Sequence, residues 1–143
     1  MVWLNDSMYD DTGVAVTLPP AARSAAGAVN GAAVDMGQGG EFYRNALFVV
    51  VTGTITDATH TITFQGSDDG TTGWTALDPS GISGSVPVLG PANSNQVHRV
   101  AWDGGNKRFI RAVTTVGGTP TTGGIYTVVV VRRGQGTPRG LPS

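Results

Sequence analysis

The acidic residues next to Gly70 are the first side chains of this chain that could do chemistry. Asp68 and Asp69 stand side by side at the end of the segment Ile62-Thr63-Phe64-Gln65-Gly66-Ser67-Asp68-Asp69-Gly70. A calcium loop needs about six or more oxygen ligands, often from alternating acidic residues. Two adjacent aspartates diverge, and no further acid follows before Asp78. The spacing therefore favours a tight turn in which Asp69 bonds its own backbone and Gly70 adopts a positive φ.

The two histidines, His60 and His98, are the only candidates for a histidine base. A nucleophile–histidine–acid arrangement needs a carboxylate that orients the histidine and a nucleophile beside it. Neither histidine stands in such a motif, and no Gly-x-Ser-x-Gly elbow occurs. Asp57 and His60 could hold a metal only with ligands from elsewhere, which no spacing predicts. We therefore predict structural or surface histidines, no enzyme activity, and no catalytic, cofactor-binding or metal-binding residue.

Two further patterns could suggest a site. The run Gly37-Gln38-Gly39-Gly40 could suggest a phosphate cradle, but it lacks the Gly-Lys-Ser/Thr that leads into a helix in a P-loop. A glycosidase needs two carboxylates in one cleft, and candidates such as Glu41 and Asp103 cannot be paired from the sequence. Neither pattern predicts a reaction.

Five aromatic residues leave two interpretations open. Aromatic side chains at strand positions usually pack in a core or a subunit contact, and this interpretation is favoured. The alternative is a sugar-stacking platform on a β-sandwich. The five residues are Phe42, Tyr43, Trp74, Trp102 and Tyr126.

Composition excludes several classes of protein. Charged residues make up 13% of the chain, about half the usual ~25%, and the net charge is −1. A nucleic-acid partner is not expected, because nothing here would attract a phosphate backbone. The absence of cysteine excludes disulfides and cysteine zinc sites, which fits folding in a reducing cytoplasm.

The longest apolar runs, 46–51 and 128–131, fall short of the ~20 residues that cross a bilayer, and the N-terminus lacks a signal-peptide pattern. We expect a soluble chain with no membrane partner.

Short apolar or alternating segments between Gly-rich and Pro-rich turns predict an all-β fold. Segment 46–51 is uninterrupted and predicts a central strand covered on both faces. Pro19-Pro20 is expected to end the first strand, and segment 85–89 to form a short one. Seven or eight strands predict an antiparallel β-sandwich or jelly-roll-like single domain. The predicted strands are 13–18, 46–51, 60–65, 74–77, 96–102, 108–116 and 125–132.

The chain is divided into an N-terminal arm (1–12), a sandwich domain (13–133) and an extended C-terminal tail (134–143). The arm places large apolar residues among Asp6, Asp10 and Asp11. Such residues in a terminal arm either pack on their own domain or dock on a neighbour. The residues predicted to make intersubunit or surface contacts are Trp3, Leu4, Met8, Tyr9, Arg132, Arg133 and Arg139.

A set of stretches stands in a recognisable order along residues 27–132. A strand ending in Ser-Asp-Asp-Gly (67–70) precedes Trp74, and Lys107-Arg108-Phe109-Ile110-Arg111 follows. Stretches 31–37 and 47–52 come before them, and a Val-rich strand closes the set. In this order the chain resembles small virion proteins of tailed bacteriophages, of the capsid decoration or cement type.

The resemblance implies a β-sandwich that binds the exterior of an assembled capsid, with the major capsid protein as partner. It implies synthesis in the host bacterial cytoplasm and clustering as a homotrimer, in which closed symmetry would cover the two apolar faces of strand 128–131. Two alternatives stay open. One is a carbohydrate-binding or host-attachment module of a virion, and the other is a different head–tail structural protein.

Overall fold

The computed structural model of the chain describes residues 12–38, 41–103 and 107–134. Within these ranges the chain forms twelve β-strands and two short 3-10 turns, with no α-helix. The described residues contain no helix that is long and apolar enough to cross a membrane. The strands are β1 (Thr12–Arg23), β2 (Gly27–Asn30), β3 (Val34–Asp35), β4 (Gly37–Gln38), β5 (Glu41–Phe42), β6 (Asn45–Ile55), β7 (Thr59–Ser67), β8 (Thr75–Ala76), β9 (Ile82–Ser83), β10 (Val97–Trp102), β11 (Phe109–Gly117) and β12 (Gly124–Arg133).

Two antiparallel sheets make up the domain. The first sheet has the strand order β1-β12-β6-β10-β9, and the second has the order β2-β11-β7-β8, with β3 also paired to β11. Strands β4 and β5 form a small separate hairpin. The predicted all-β, antiparallel sandwich in a single domain is confirmed, while the jelly-roll variant stays a prediction.

The core lies between the two sheets. Phe48 on β6 meets Phe64 on β7 with ring centroids 4.3 Å apart, which joins the sheets through an aromatic pair. Strand alternation sends every second side chain inward, where it leaves contact with water. The fully buried apolar residues include Phe48, Val50, Leu89, Ile110, Ala112, Val128 and Val130.

A polar link also joins the sheets inside this core. Tyr126 on β12 places its hydroxyl 3.0 Å from Nδ1 of His60 on β7 and 2.5 Å from Oγ1 of Thr114 on β11. The second ring nitrogen of His60, Nε2, lies 3.1 Å from the carbonyl oxygen of Asp57. Burial raises the pKa of Tyr126, and the Thr114 hydrogen bond offsets part of this increase. His60 is therefore a structural residue that belongs to a closed hydrogen-bond network.

Two strand predictions were wrong. Strand β1 does not end at Pro19-Pro20, since it continues to Arg23 with register shifts near Leu18. Prolines are tolerated there because β1 is an edge strand, where a missing N–H need not break the ladder.

The second error concerns segment 85–89. It forms no strand, and Leu89 makes only an isolated bridge with His60. The short strand is β9 instead, because Gly84, at φ +90°, turns the chain away directly after it and Pro87 cannot donate to a ladder.

Candidate docking surface

The outer surface of the first sheet is apolar, although it faces away from the core. The inward side chains of β6 and β12 alternate with outward ones that are also aliphatic. We call the outward surface the valine face. Its side chains are Val14, Val16, Leu47, Val49, Val51, Val97, Arg99, Ala101, Thr127, Val129 and Val131.

The strand register arranges the valine face in three rows, of which two cross four strands and one crosses three. Side chains directly opposite one another in an antiparallel pair share a face, so the pairing gives the neighbours directly. The rows are Val14–Val131–Leu47–Ala101, then Val16–Val129–Val49–Arg99, then Thr127–Val51–Val97.

The exposure of this face corrects the prediction that segment 46–51 is covered on both sides. Val51 is 39% exposed, and at the two margins Val14 is 63% and Val97 is 64% exposed. Within the described ranges, no third layer of strands packs over them. An uninterrupted apolar run predicts two apolar faces, but it does not reveal whether this chain itself covers the second one.

A shallow groove lies at one side of the valine face. Its volume is about 320 Å³, and it is lined by Leu47, Ser83, Gly84, Arg99 and Ala101. The Arg99 side chain is exposed and has no hydrogen bond or ion pair with any described residue. An unpaired guanidinium beside an apolar groove suits a carboxylate carried by an apolar segment.

The base of the N-terminal arm lies at the edge of this face. Thr12, the first described residue, already belongs to β1 and pairs with Arg133. Arg132 donates from Nη1 to the carbonyl oxygen of Asp35 at 2.9 Å and lies 4.8 Å from the Tyr43 ring centroid. Of the predicted contact residues, Arg133 stands at the exposed end of the valine face, whereas Arg132 links β12 to β3 and to Tyr43.

The remaining predicted contacts cannot be placed. Trp3, Leu4, Met8, Tyr9 and Arg139 lie outside the described residues.

The Asp69 turn has the geometry that its sequence predicts. The carboxylate accepts hydrogen bonds from the backbone N–H groups of Thr71 and Thr72 and from the Thr72 hydroxyl, at 2.6 to 2.9 Å. These bonds, first of all that of the Thr72 hydroxyl, lower the pKa of Asp69 far below its ordinary value. Gly70 has φ +78°. Asp69 is thus occupied as a turn former.

Asp57 performs a comparable structural task that the sequence did not reveal. Its carboxylate accepts from the backbone N–H groups of Thr121, Thr122 and Gly123 at 2.7 to 3.1 Å, which fixes the loop before β12. These hydrogen bonds, led by that of Thr122, lower the pKa of Asp57. The partners are more than sixty residues away in the chain, so no local pattern predicts them. Among the described residues, no three histidine or acidic side chains come together as a metal cluster.

The five aromatic residues do not share one surface. Trp102 and Tyr126 are buried in the core, and Tyr43 is partly buried beside Arg132. Trp74 lies on the outer surface of the second sheet, where the Arg111 guanidinium stacks 4.1 Å from its ring centroid. Phe42 lies in β5, and its side chain is outside the part of the molecule that the structure describes.

Comparisons of the chain with protein-family models, curated proteins and solved structures find no match. The function must therefore be argued from the surfaces of the molecule and from the resemblance of its motifs.

Proposed function

We propose that this chain is a structural, non-enzymatic virion protein that binds the exterior of a tailed-phage capsid and stabilises it. The partner in this proposal is the major capsid protein, and the bound form is a homotrimer. The motif order along residues 27–132 supports the family, and the valine face is the structural observation that supports the role.

The valine face supports a binding role because apolar surface is costly to leave in water. Exposed apolar patches of several hundred Å² on a small domain commonly mark interaction sites. At about 25 cal/mol per Å², covering such a patch supplies several kcal/mol toward association. The carboxylates of Asp57 and Asp69, whose pKa values are lowered, are engaged in holding a loop and a turn. The surface therefore suits contact rather than catalysis.

Stabilisation follows from mass action. A protein that binds only the assembled shell stabilises it by RT ln(1 + [L]/Kd) for each site, about 2.7 kcal/mol when the free concentration is a hundred times Kd. Many equivalent sites on one shell multiply this small term. The proposed arm and tail contacts through Trp3, Leu4, Met8, Tyr9 and Arg139 would add area beyond the valine face.

The experiment is co-sedimentation of the purified chain with shells that lack it. Val97→Asp places a carboxylate at the margin of the valine face, where an apolar contact would have to cover the charge, which should lower the affinity for shells at least about tenfold. Thr115→Asp is the matched control, because Thr115 is exposed on the outer surface of the second sheet. Unchanged shell occupancy for Val97→Asp, or an equal loss for Thr115→Asp, would refute a role of the valine face.

Removal of residues 2–11 tests the contribution of the arm. The deletion should weaken shell binding while the urea unfolding midpoint stays close to that of the intact chain, because β1 begins at Thr12. Full occupancy by the shortened chain would show that the arm makes no contact of consequence.

One observation favours a second candidate, a carbohydrate-binding or host-attachment module. Trp74 is partly exposed, and Arg111 both stacks on its ring and donates two hydrogen bonds to Oε1 of Gln65 at 2.8 and 3.0 Å. An indole held by planar polar groups can accept the apolar face of a sugar. A glycan array distinguishes the two candidates. Glycan binding that Trp74→Ala abolishes would favour the carbohydrate-binding module, and the absence of binding to any glycan on the array would refute it.

A further inference from the structure

Among the side chains that form the valine face, only Arg99 carries a charge. It ends the second row beside Val49, and the outward residues next to it on its own strand are Val97 and Ala101. Its guanidinium has no hydrogen bond or ion pair with any described residue. A shell surface that covers the valine face therefore meets a free positive charge among aliphatic side chains.

The cost of covering an unpaired charge determines what the shell surface must supply. A charged group that loses its water without gaining a partner weakens a contact strongly. A carboxylate opposite a guanidinium offsets this loss, because the two groups can form parallel hydrogen bonds. One partner surface can therefore cover both the apolar rows and Arg99 only if it carries an acidic group at this point.

The groove beside Arg99 has room for this acidic group. Ser83 pairs with Ala101 in the strand register, so its side chain lies on the same outer surface, and its hydroxyl has no hydrogen bond with any described residue. Gly84 follows at φ +90°, and a Cβ there would lie 2.9 Å from the carbonyl oxygen of Arg99, so only glycine lets the loop lie this close to β10. The groove thus has two free donors, the Ser83 hydroxyl and the Arg99 guanidinium. Its apolar lining consists of Leu47 and Ala101.

The size and the surroundings of the groove indicate that its occupant is one side chain. A volume of about 320 Å³ is at the lower end of the range for ligand pockets. Outward apolar residues lie on both sides of Arg99 along β10, at Val97 and Ala101. A segment that covers this strand continues past Arg99 in both directions. The acidic group is therefore an aspartate or glutamate side chain within the segment, not the end of a chain.

We propose that the groove binds the carboxylate of an aspartate or glutamate on an otherwise apolar surface of the major capsid protein. The Arg99 guanidinium and the Ser83 hydroxyl donate to the carboxylate, and the aliphatic part of the acidic side chain packs on Leu47 and Ala101. This inference names the chemistry of the partner surface and rests on the proposed function, because the shell is the partner. The charged contact also fixes the orientation of the chain on the shell, since a displaced chain leaves Arg99 unpaired.

Arg99→Met should change shell affinity in opposite directions with and without an acidic partner. Methionine is unbranched and uncharged, so it extends the apolar surface. With a carboxylate opposite Arg99, the variant leaves that carboxylate unpaired, and affinity in the co-sedimentation assay should fall at least about tenfold. Arg99→Lys keeps the charge but loses the planar fork, and its affinity should stay within about fivefold of the parent. Equal or higher affinity for Arg99→Met would overturn the proposal, because it would show that the guanidinium gains no partner on the shell.

Carbodiimide coupling identifies the partner group, because the reagent joins an amine to a nearby carboxylate. Arg99→Lys places an amine at the groove of a chain whose only other lysine is Lys107. On shells, this variant should form a cross-link to an aspartate or glutamate side chain of the major capsid protein, which peptide mass spectrometry locates. Thr115→Lys is the matched control, since Thr115 is exposed on the outer surface of the second sheet, and it should not form this product.

The outcomes separate this inference from the proposed function. If Val97→Asp weakens shell binding and Arg99→Met does not, the valine face binds the shell and the acidic partner is refuted. If the parent chain does not bind shells, the proposed function fails and this inference fails with it. A cross-link from the Arg99→Lys variant to the α-carboxyl end of the capsid protein, or to a second copy of this chain, would also overturn the inference.

Discussion

Removal of one buried hydroxyl, by Tyr126→Phe, tests how the two sheets are joined. The Tyr126 hydroxyl contacts His60 and Thr114 on the opposite sheet, and all three residues are fully or almost fully buried. The substitution keeps the ring and its packing. It leaves Nδ1 of His60 and Oγ1 of Thr114 without this partner, in a place that water does not reach.

The magnitude follows from the two groups that lose their partner. Each buried polar group left unsatisfied costs about 1–3 kcal/mol. The sum is reduced because phenylalanine no longer buries a hydroxyl of its own. We expect a loss of about 2–4 kcal/mol in the free energy of unfolding, a large part of the ~5–15 kcal/mol that stabilises a typical domain.

Urea unfolding followed by tryptophan fluorescence measures this loss. With a denaturant dependence near 2 kcal/mol per molar urea, the midpoint should fall by about 1–2 M. Tyr43→Phe is the control, since its hydroxyl has no hydrogen bond within the described residues, and its effect should stay within about 0.5 kcal/mol. A Tyr126→Phe protein within about 0.5 kcal/mol of the parent would refute the idea that this network holds the sheets together.

Two further predictions concern the loop before β12. Asp57→Asn should reduce the pH dependence of the free energy of unfolding. The pKa of Asp57 in the folded protein lies below its ordinary value of 3.8. The ionised carboxylate therefore stabilises the fold above pH 3.8, and this stabilisation is lost as the pH falls through the folded-state pKa. Urea midpoints measured from pH 7 down to about pH 2 should therefore converge for the two proteins in acid, and parallel curves would contradict this. Gly123→Ala should be strongly destabilising, because Gly123 has φ +76° and an added Cβ would lie 1.9 Å from the carbonyl oxygen of Arg23. Gly73→Ala, at φ +68° with open space around the position, should cost only about 1 kcal/mol. Urea unfolding of both variants measures the two losses, and equal losses would refute the steric argument.

The fold class was predictable because local patterns agree with one another. Alternation over 60–65, 96–102 and 108–116 and the Asp69-Gly70 turn each indicate strands and hairpins, and they correspond to β7, β10, β11 and the β7–β8 connection. The errors occurred where tertiary position overrides a local rule. Pro19-Pro20 was expected to end a strand, but an edge strand tolerates it.

The candidate surface was only half predictable. The all-aliphatic stretches 46–51 and 128–131 showed that two strands have two apolar faces. They could not show that β1 and β10 extend the outer face with Val14, Val16 and Val97, because that depends on sheet order. The clamp made by Asp57 was hidden for the same reason, as its partners lie in a distant loop.

Imaging of the purified virion, with and without this chain, tests the central claim most directly. Reconstruction at a resolution that shows strands should place a β-sandwich on the outside of the shell, with its valine face and N-terminal arm toward the shell or a neighbouring copy. Particles that lack the chain should lose this density and should disassemble at a lower temperature. Density at the tail or connector, or a shell that is unchanged in both respects without the chain, would contradict the assignment to the capsid exterior.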